Sequence, residues 1–321
     1  MPVPSWKTEW RQLTPKVHAY VQGGGPGVSN NGVSNAGLIV GGDAAMIVDA
    51  LQAPIPARAF LAAAKKTTDK PLRHLVNTHF HGDHVGGNQY FTPIQIIATP
   101  ETRDYVMNAR IGGAPGPVWP NVPGRSTGNE PRVITLPWVT FKERMTVYYE
   151  GVRVELYAPE PAHSAGDVLV HIPEERIVFA GDCCFFYVAP HFWTGAGTGS
   201  LHAFDWLASL DVDWIVPGHG PIGTKKELQL NRQYVERVRD QARVRFDKGM
   251  NVVDAASSID MGEFKEWIEG TDRLVGNTMR WYKEFQGDPF GFISSAERAV
   301  ALAAYRQKLG LPPPAAGQGG G

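Results

Sequence analysis

The sequence predicts an α/β protein, and three observations carry that expectation. Short apolar runs recur between Val17 and Val216, bounded by Gly, Asn, Asp and Pro, as strands are. Strand-like and helix-like stretches alternate twice, once in each half of this region. After Lys225 the pattern turns helical and stays so to about residue 309. Spacing alone goes no further than mixed α and β.

Taken in order, Val17-His18-Ala19-Tyr20-Val21 reads as a first strand. Gly23 to Ser34 is rich in Gly, Asn and Ser and reads as a mobile hairpin loop. Asn35 to Val40 and Ala44 to Ala50 are apolar strands joined by Gly41-Gly42-Asp43, a good hairpin turn. Pro54 to Lys66 reads as a helix, with Pro at its start, an Ala-rich body and two lysines in its last turn. Leu72 to Asn77 reads as a buried strand, Ile94 to Ala98 as another, and Pro100 to Ala109 as a helix. Ile111 to Pro131 is dense in Gly and Pro, a long insertion placed to lie over a site. Val133 to Pro137, Val139 to Phe141, Thr146 to Tyr149 and Val152 to Ala158 are strand-like. Val168 to Ile172 and Ile177 to Ala180 form a hairpin, and Phe185 to Gly199 is a second long loop. Leu201 to Leu210 is a helix and Trp214 to Val216 a short strand. Helices are then expected over 225–247, 251–258, 271–286 and 294–309, and a disordered tail over 311–321.

Apolar residues make up 43% of the chain and charged ones 20%, a balance that suits a globular enzyme with a sizeable core. The formal net charge of -1 argues against a surface built to grip nucleic acid or anionic lipid. No run approaches the roughly 18 apolar residues of a membrane span, and the N-terminal residues lack a signal-peptide core. The only cysteines, Cys183 and Cys184, are adjacent and poorly placed to bridge each other. These features predict a cytoplasmic protein that engages neither nucleic acid nor membrane.

One stretch carries the chemistry. Thr78-His79-Phe80-His81-Gly82-Asp83-His84 places three imidazoles and a carboxylate, all metal ligands by chemistry, at the mouth of a strand. His79 and His81 are two apart and project the same way on an extended segment. Asp83 and His84 are adjacent, so on such a segment they point apart and can serve two different metals. Burying so many polar groups without a metal would be expensive. Further on come His163 in His163-Ser164-Ala165-Gly166-Asp167, Asp182 in Gly181-Asp182, and His219 in Gly218-His219-Gly220.

This order of elements resembles the metallo-β-lactamase superfamily over roughly residues 15 to 225. Its pattern is His-x-His-x-Asp-His, a His before a Gly-Asp, a Gly-Asp ending a strand, and a Gly-His-Gly. The resemblance implies an αββα sandwich: a catalytic core over 1–225, a helical extension over 226–310 packed on the same domain, and the tail. It implies that His79, His81 and His163 hold one metal, that Asp83, His84 and His219 hold a second, and that Asp182 bridges them. Two zinc ions per chain are expected, with iron or manganese as alternatives, sharing a hydroxide that attacks a carbonyl-type bond. Asp83 would also move a proton during that attack, as the catalytic residue.

The substrate expected is a small lactone, thioester, ester or lactam. Where the β-lactamases with a cysteine ligand place that residue, this chain has Asp182, which is more like the lactonase, thioesterase and glyoxalase II branches. The alternative reading is an iron-dependent persulfide dioxygenase; a β-lactamase or a nuclease is a weaker one. His191, Trp193, Phe186 and Tyr187 suit a substrate-binding wall, with Trp119 on the opposite rim. Packing of a long loop would account for the aromatics equally well. His18, His74, His171 and His202 read as ordinary. Trp267, Trp281, Tyr282, Phe285 and Phe290 suit core packing or a subunit contact, so a homo-oligomer is expected.

Overall fold

The computed structural model describes residues 2–52, 54–108, 121–122, 126–291 and 293–313. In chain order its elements are β1 (Glu9–Gln12), β2 (Val17–Val21), β3 (Ala36–Val40), β4 (Ala45–Val48), α1 (Pro54–Thr67), β5 (Leu72–Val76) and α2 (Gly82–Val85). Then follow β6 (Gln95–Ala98), α3 (Pro100–Met107), β7 (Asn121–Val122), β8 (Ser126–Thr127) and β9 (Val139–Thr140). The second half holds β10 (Arg144–Tyr149), β11 (Val152–Tyr157), β12 (Leu169–Ile172), β13 (Ile177–Phe185), α4 (Gly197–Ser209) and β14 (Trp214–His219). The chain closes with α5 (Lys225–Asp247), α6 (Val252–Ser258), α7 (Gly270–Phe285) and α8 (Ser295–Lys308).

The strands form two main sheets. The first has the order β1-β2-β3-β4-β5-β6-β9, and the second β10-β11-β12-β13-β14. Each is antiparallel at one end and parallel at the other, with β4, β5, β6 and β9 parallel in the first and β13 and β14 in the second. Side chains alternate across each strand, and that alternation builds the layers. In β4, Met46 and Val48 face inward, while Ala45 and Ile47 face α1 and its Phe60. In β13, Ile177 and Phe179 face inward, while Val178 and Ala180 face α4 and α5. The inward residues of both sheets make one shared core, so the architecture is an αββα sandwich.

The helices past Lys225 are not a separate layer. Tyr234, Val235 and Val238 of α5, with Leu274, Trp281 and Tyr282 of α7, share one buried cluster with the outer face of the second sheet. Trp281 is 2% exposed, and truncating it to Ala would cost about 3–5 kcal/mol by the usual core penalty. Capping boxes start α5 (Thr224 with Glu227) and α8 (Ser294 with Glu297). None of the helices, among the described residues, is long and apolar enough to cross a membrane.

Several sequence expectations change. Val17–Val21 is the second strand, because the short polar Glu9–Gln12 pairs along its edge. Val133 to Pro137 is no strand: Val133 is 57% exposed, and the segment forms no part of either sheet's ladder. Residues Gly82–Val85 form a turn of helix rather than an extended segment. The loop from Gly23 to Ser34 is tied down: Asn30 bonds to His219, Ser29 and Asn30 to Glu269, and Ser34 to the Asp83 carbonyl. Most of the 111–131 insertion, Trp119 included, and the tail beyond residue 313 lie outside the described residues.

Candidate metal centre

The seven sequence-selected donors come from four segments, and the fold brings them together at the ends of the parallel strands. β5 leads into Thr78 to His84; the turn before β12 brings His163; β13 brings Asp182; β14 ends on His219. Ligand atoms of His79, His81, His163 and Asp182 all lie within 4.8 Å of one another, and so do those of Asp83, His84 and His219. All seven side chains are buried. The helical turn at Gly82–Val85 explains why adjacent Asp83 and His84 reach one pocket. Strand geometry would have sent them to opposite sides.

Asp182 stands between the two groups. Its Oδ2 lies 3.3 Å from His163 Nε2 and 3.1 Å from His219 Nε2, and its Oδ1 lies 3.1 Å from His84 Nε2. The strands must approach closely to allow this. A Cβ on Gly218 would come within 1.9 Å of Asp182 Oδ1, so no larger residue fits there.

The donor set fits divalent cations. Nε2 of His79 is sealed from solvent with no hydrogen-bond partner among the described residues, and the equally buried Nε2 of His84 faces only Asp182 Oδ1, 3.1 Å away. Orphaned buried donors and acceptors of this kind are costly unless a cation gathers them. The opposite ring nitrogens are engaged, which fixes the rings. His84 Nδ1 meets Asp49 Oδ2 at 2.7 Å, His219 Nδ1 meets Asn30 Oδ1 at 2.7 Å, and His163 Nδ1 meets the His191 carbonyl at 2.6 Å. Asp49 has φ 58° and is held there by the Thr78 amide and hydroxyl.

Electrostatics separate the imidazoles. Burial pushes His79 and His81 well below the ordinary histidine range, helped by neighbouring rings. Burial would lower His84 too, but the carboxylates of Asp182, Asp49 and Asp83 outweigh it and hold the ring well above that range. Burial would raise Asp182, yet the surrounding imidazoles hold its carboxyl well below the usual value.

A cleft opens onto the centre, lined by Gln52, His81, Asp83, His191, His219 and Arg273 among others. His191 is among the residues that line it. Its ring stacks on His81 at 5.8 Å, and burial keeps it well below the ordinary range. Trp193 lies one layer back, 4.3 Å from His191 and under the Arg298 guanidinium. Phe186 and Tyr187 do not reach the cleft. Phe186 is core beneath α5, and Tyr187 turns toward Trp267 and Glu227. The other histidines pair elsewhere: His18 with Trp10, His74 with Tyr149, His171 with Glu155, and His202 with Glu160.

Sequence reasoning missed Asn30, Asp49 and Arg273. Asp49 carried a signal, as an acidic residue ending an apolar strand beside the ligand strand. Asn30 and Arg273 carried none.

The profile of a family described as the metallo-beta-lactamase superfamily matches residues 29–219. Among curated proteins, a linear primary-alkylsulfatase from Pseudomonas sp. (strain ATCC 19151) is 23% identical over 315 residues. That match covers 82% of this chain but 60% of the relative, so the chain spans only part of its length. Among solved structures, a metallo-beta-lactamase from Pontibacter korlensis aligns with a TM-score of 0.58 and 19% identity, covering 72% of this chain and 99% of that one. A stereoselective inverting sec-alkylsulfatase from Pseudomonas sp. aligns with a TM-score of 0.63 and 14% identity, covering 94% of this chain and 54% of that one.

Proposed function

The chain belongs to the metallo-β-lactamase superfamily, and on that footing we propose that it is a metal-dependent hydrolase of an ester-type bond in a small molecule. The carrying observation is the pair of donor clusters joined at Asp182, with buried ring nitrogens and carboxylate oxygens converging on one another. His79, His81 and His163 would hold one ion, Asp83, His84 and His219 a second, and Asp182 both. Zinc suits these nitrogen and oxygen donors, and iron or manganese are the alternatives. Such ions supply an acidified water near neutral pH and positive charge against a developing oxyanion. A complete second cluster favours this reading over a mononuclear iron oxygenase.

The protein's own groups then do three things. Asp83, its Oδ2 3.4 Å from His219 Nε2, stands at the cleft wall and can accept a proton from the attacking water and pass it to the leaving group. Asp49, Asn30 and the His191 carbonyl hold the rings in register, so no reorganisation is needed as charge develops. His191, kept neutral by burial, offers the substrate an uncharged imidazole.

Acyl esters, lactones, thioesters and lactams are the first substrates to test. Sulfate esters are the second reading, because the alkylsulfatase match covers 82% of this chain. The test is hydrolysis by zinc-loaded protein across that panel, with Asp83→Ala alongside and bound metal measured in both. A preference that disappears in Asp83→Ala with metal retained supports the proposal. Absence of turnover on every class, with two ions bound, would overturn it.

A further inference from the structure

The guanidinium of Arg273, on α7, enters the cleft from a helix outside the region matched by the family profile. The residue is 5% exposed. It lies over Phe185 at 5.3 Å, and Phe185 stacks on His219 at 4.9 Å. Nη1 donates to the Ala189 carbonyl at 2.5 Å. The leading opposing charge on Arg273 is Glu269, ahead of Asp182 and Asp83. Glu269, one turn earlier, is already engaged by the Ser29 hydroxyl at 2.9 Å and the Asn30 amide at 3.0 Å. The charges that face Arg273 in the cleft are Asp83 and Asp182.

Those two carboxylates belong to the clusters proposed to take divalent ions. Once cations neutralise them, the counter-charge left to this buried guanidinium is Glu269, which already serves the Ser29 hydroxyl and the Asn30 amide, and an anion in the cleft would complete the balance. Arg298 strengthens the same field. It packs 4.2 Å over Trp193, behind His191, and its buried Nε and Nη1 have no hydrogen-bond partner among the described residues. A guanidinium offers parallel donors matched to carboxylate or sulfate oxygens.

We propose that the substrate carries an oxyanion, carboxylate or sulfate, and that Arg273 binds it beside the metal centre. This rests on the hydrolase reading and adds the charge of the substrate to it. A neutral ester gains nothing from this cleft wall, whereas an anionic one is both drawn in and oriented.

The test compares 4-nitrophenyl acetate, 4-nitrophenyl hemisuccinate and 4-nitrophenyl sulfate on the zinc-loaded wild type, Arg273→Met, Arg273→Lys and Arg298→Met. The wild type should prefer an anionic substrate, and which of the two it takes separates carboxylate from sulfate. Arg273→Met should raise KM for that substrate by about 30-fold or more, leaving kcat and the acetate reaction little changed. Arg273→Lys should recover part of the loss, and Arg298→Met should weaken binding of the anionic substrates in the same direction but by less. An equal loss on neutral and anionic esters would mean that Arg273 only props the loop through Ala189, and would overturn the proposal, as would a wild type indifferent to charge. Calorimetric binding of propane-1-sulfonate decides the matter independently of turnover. If nothing is hydrolysed, the hydrolase reading fails. Sulfonate binding that disappears in Arg273→Met still supports the anion site, and unchanged or undetectable binding removes it.

Discussion

The two donor clusters look alike in composition but are supported from different parts of the chain. The first, His79, His81 and His163, is backed by neutral groups: the Thr78 hydroxyl lies 3.2 Å from His79 Nδ1, and the His191 carbonyl meets His163. The second is backed by a carboxylate, Asp49 on His84, and by the Asn30 amide oxygen on His219. The loop behind the first cluster is pinned by the C-terminal helices, through Arg273 to the Ala189 carbonyl, Asn277 to Pro190 and Arg280 to Trp193. The supports of the second, Asp49 and Asn30, come from the N-terminal half, with Asn30 tied in turn to Glu269 at the start of α7. A carboxylate behind an imidazole makes it a stronger base, whereas a carbonyl only aims it. The pockets are therefore expected to differ in how protons compete with metal.

The largest effect should come from the residue the clusters share. Asp182→Asn keeps the shape and removes the charge between them, so both ions should be lost together, as measured by metal analysis of the purified protein. Loss from one pocket alone would break the symmetry assigned to Asp182.

A smaller effect should separate the pockets. His84 is held above its ordinary value of about 6.5, so in the metal-free protein it keeps a proton at pH 7 that an incoming cation must displace. Affinity of the second pocket should then rise with pH, by about tenfold per unit for one proton, until pH passes the His84 pKa. His79 and His81 are held well below that value and are already neutral at pH 7, so these two rings release no proton to an incoming cation there, and the first pocket should have the shallower slope. Asp49→Asn should weaken the second pocket about 10- to 100-fold and flatten its pH dependence. Metal titrations from pH 6 to 8 would show this. Identical slopes for both pockets would contradict the assignment.

The smallest effect concerns the residues next to Asp182. Burial pushes the thiols of Cys183 and Cys184 up, and both are free and buried. Neither should react with iodoacetamide at pH 8 in the folded protein, and both should react after unfolding. Rapid labelling of the native state, followed by mass spectrometry, would place Cys183 at the cleft after all.

The sequence by itself determined the donor set, because metal ligands are few in kind and their spacing survives in one dimension. It also determined most elements: α5 spans the residues read as helical, 225–247, since its periodicity and capping box are local signals. Spacing alone left open how those donors divide, which the family resemblance implied and the fold reproduces as two clusters; only the tertiary structure decided what stands behind them. A single helical turn at Gly82–Val85 put Asp83 and His84 into one pocket, and local sequence there reads equally well as an extended loop. The direction of Phe186 and Tyr187, which face the core and α5, depended on how β13 ends against later helices. Asn30, Asp49 and Arg273 reach the site from 189, 35 and 84 residues away from their hydrogen-bonding partners. Periodicity describes neighbours along the chain; a charge that acts across the fold becomes visible only when packing has fixed where it points.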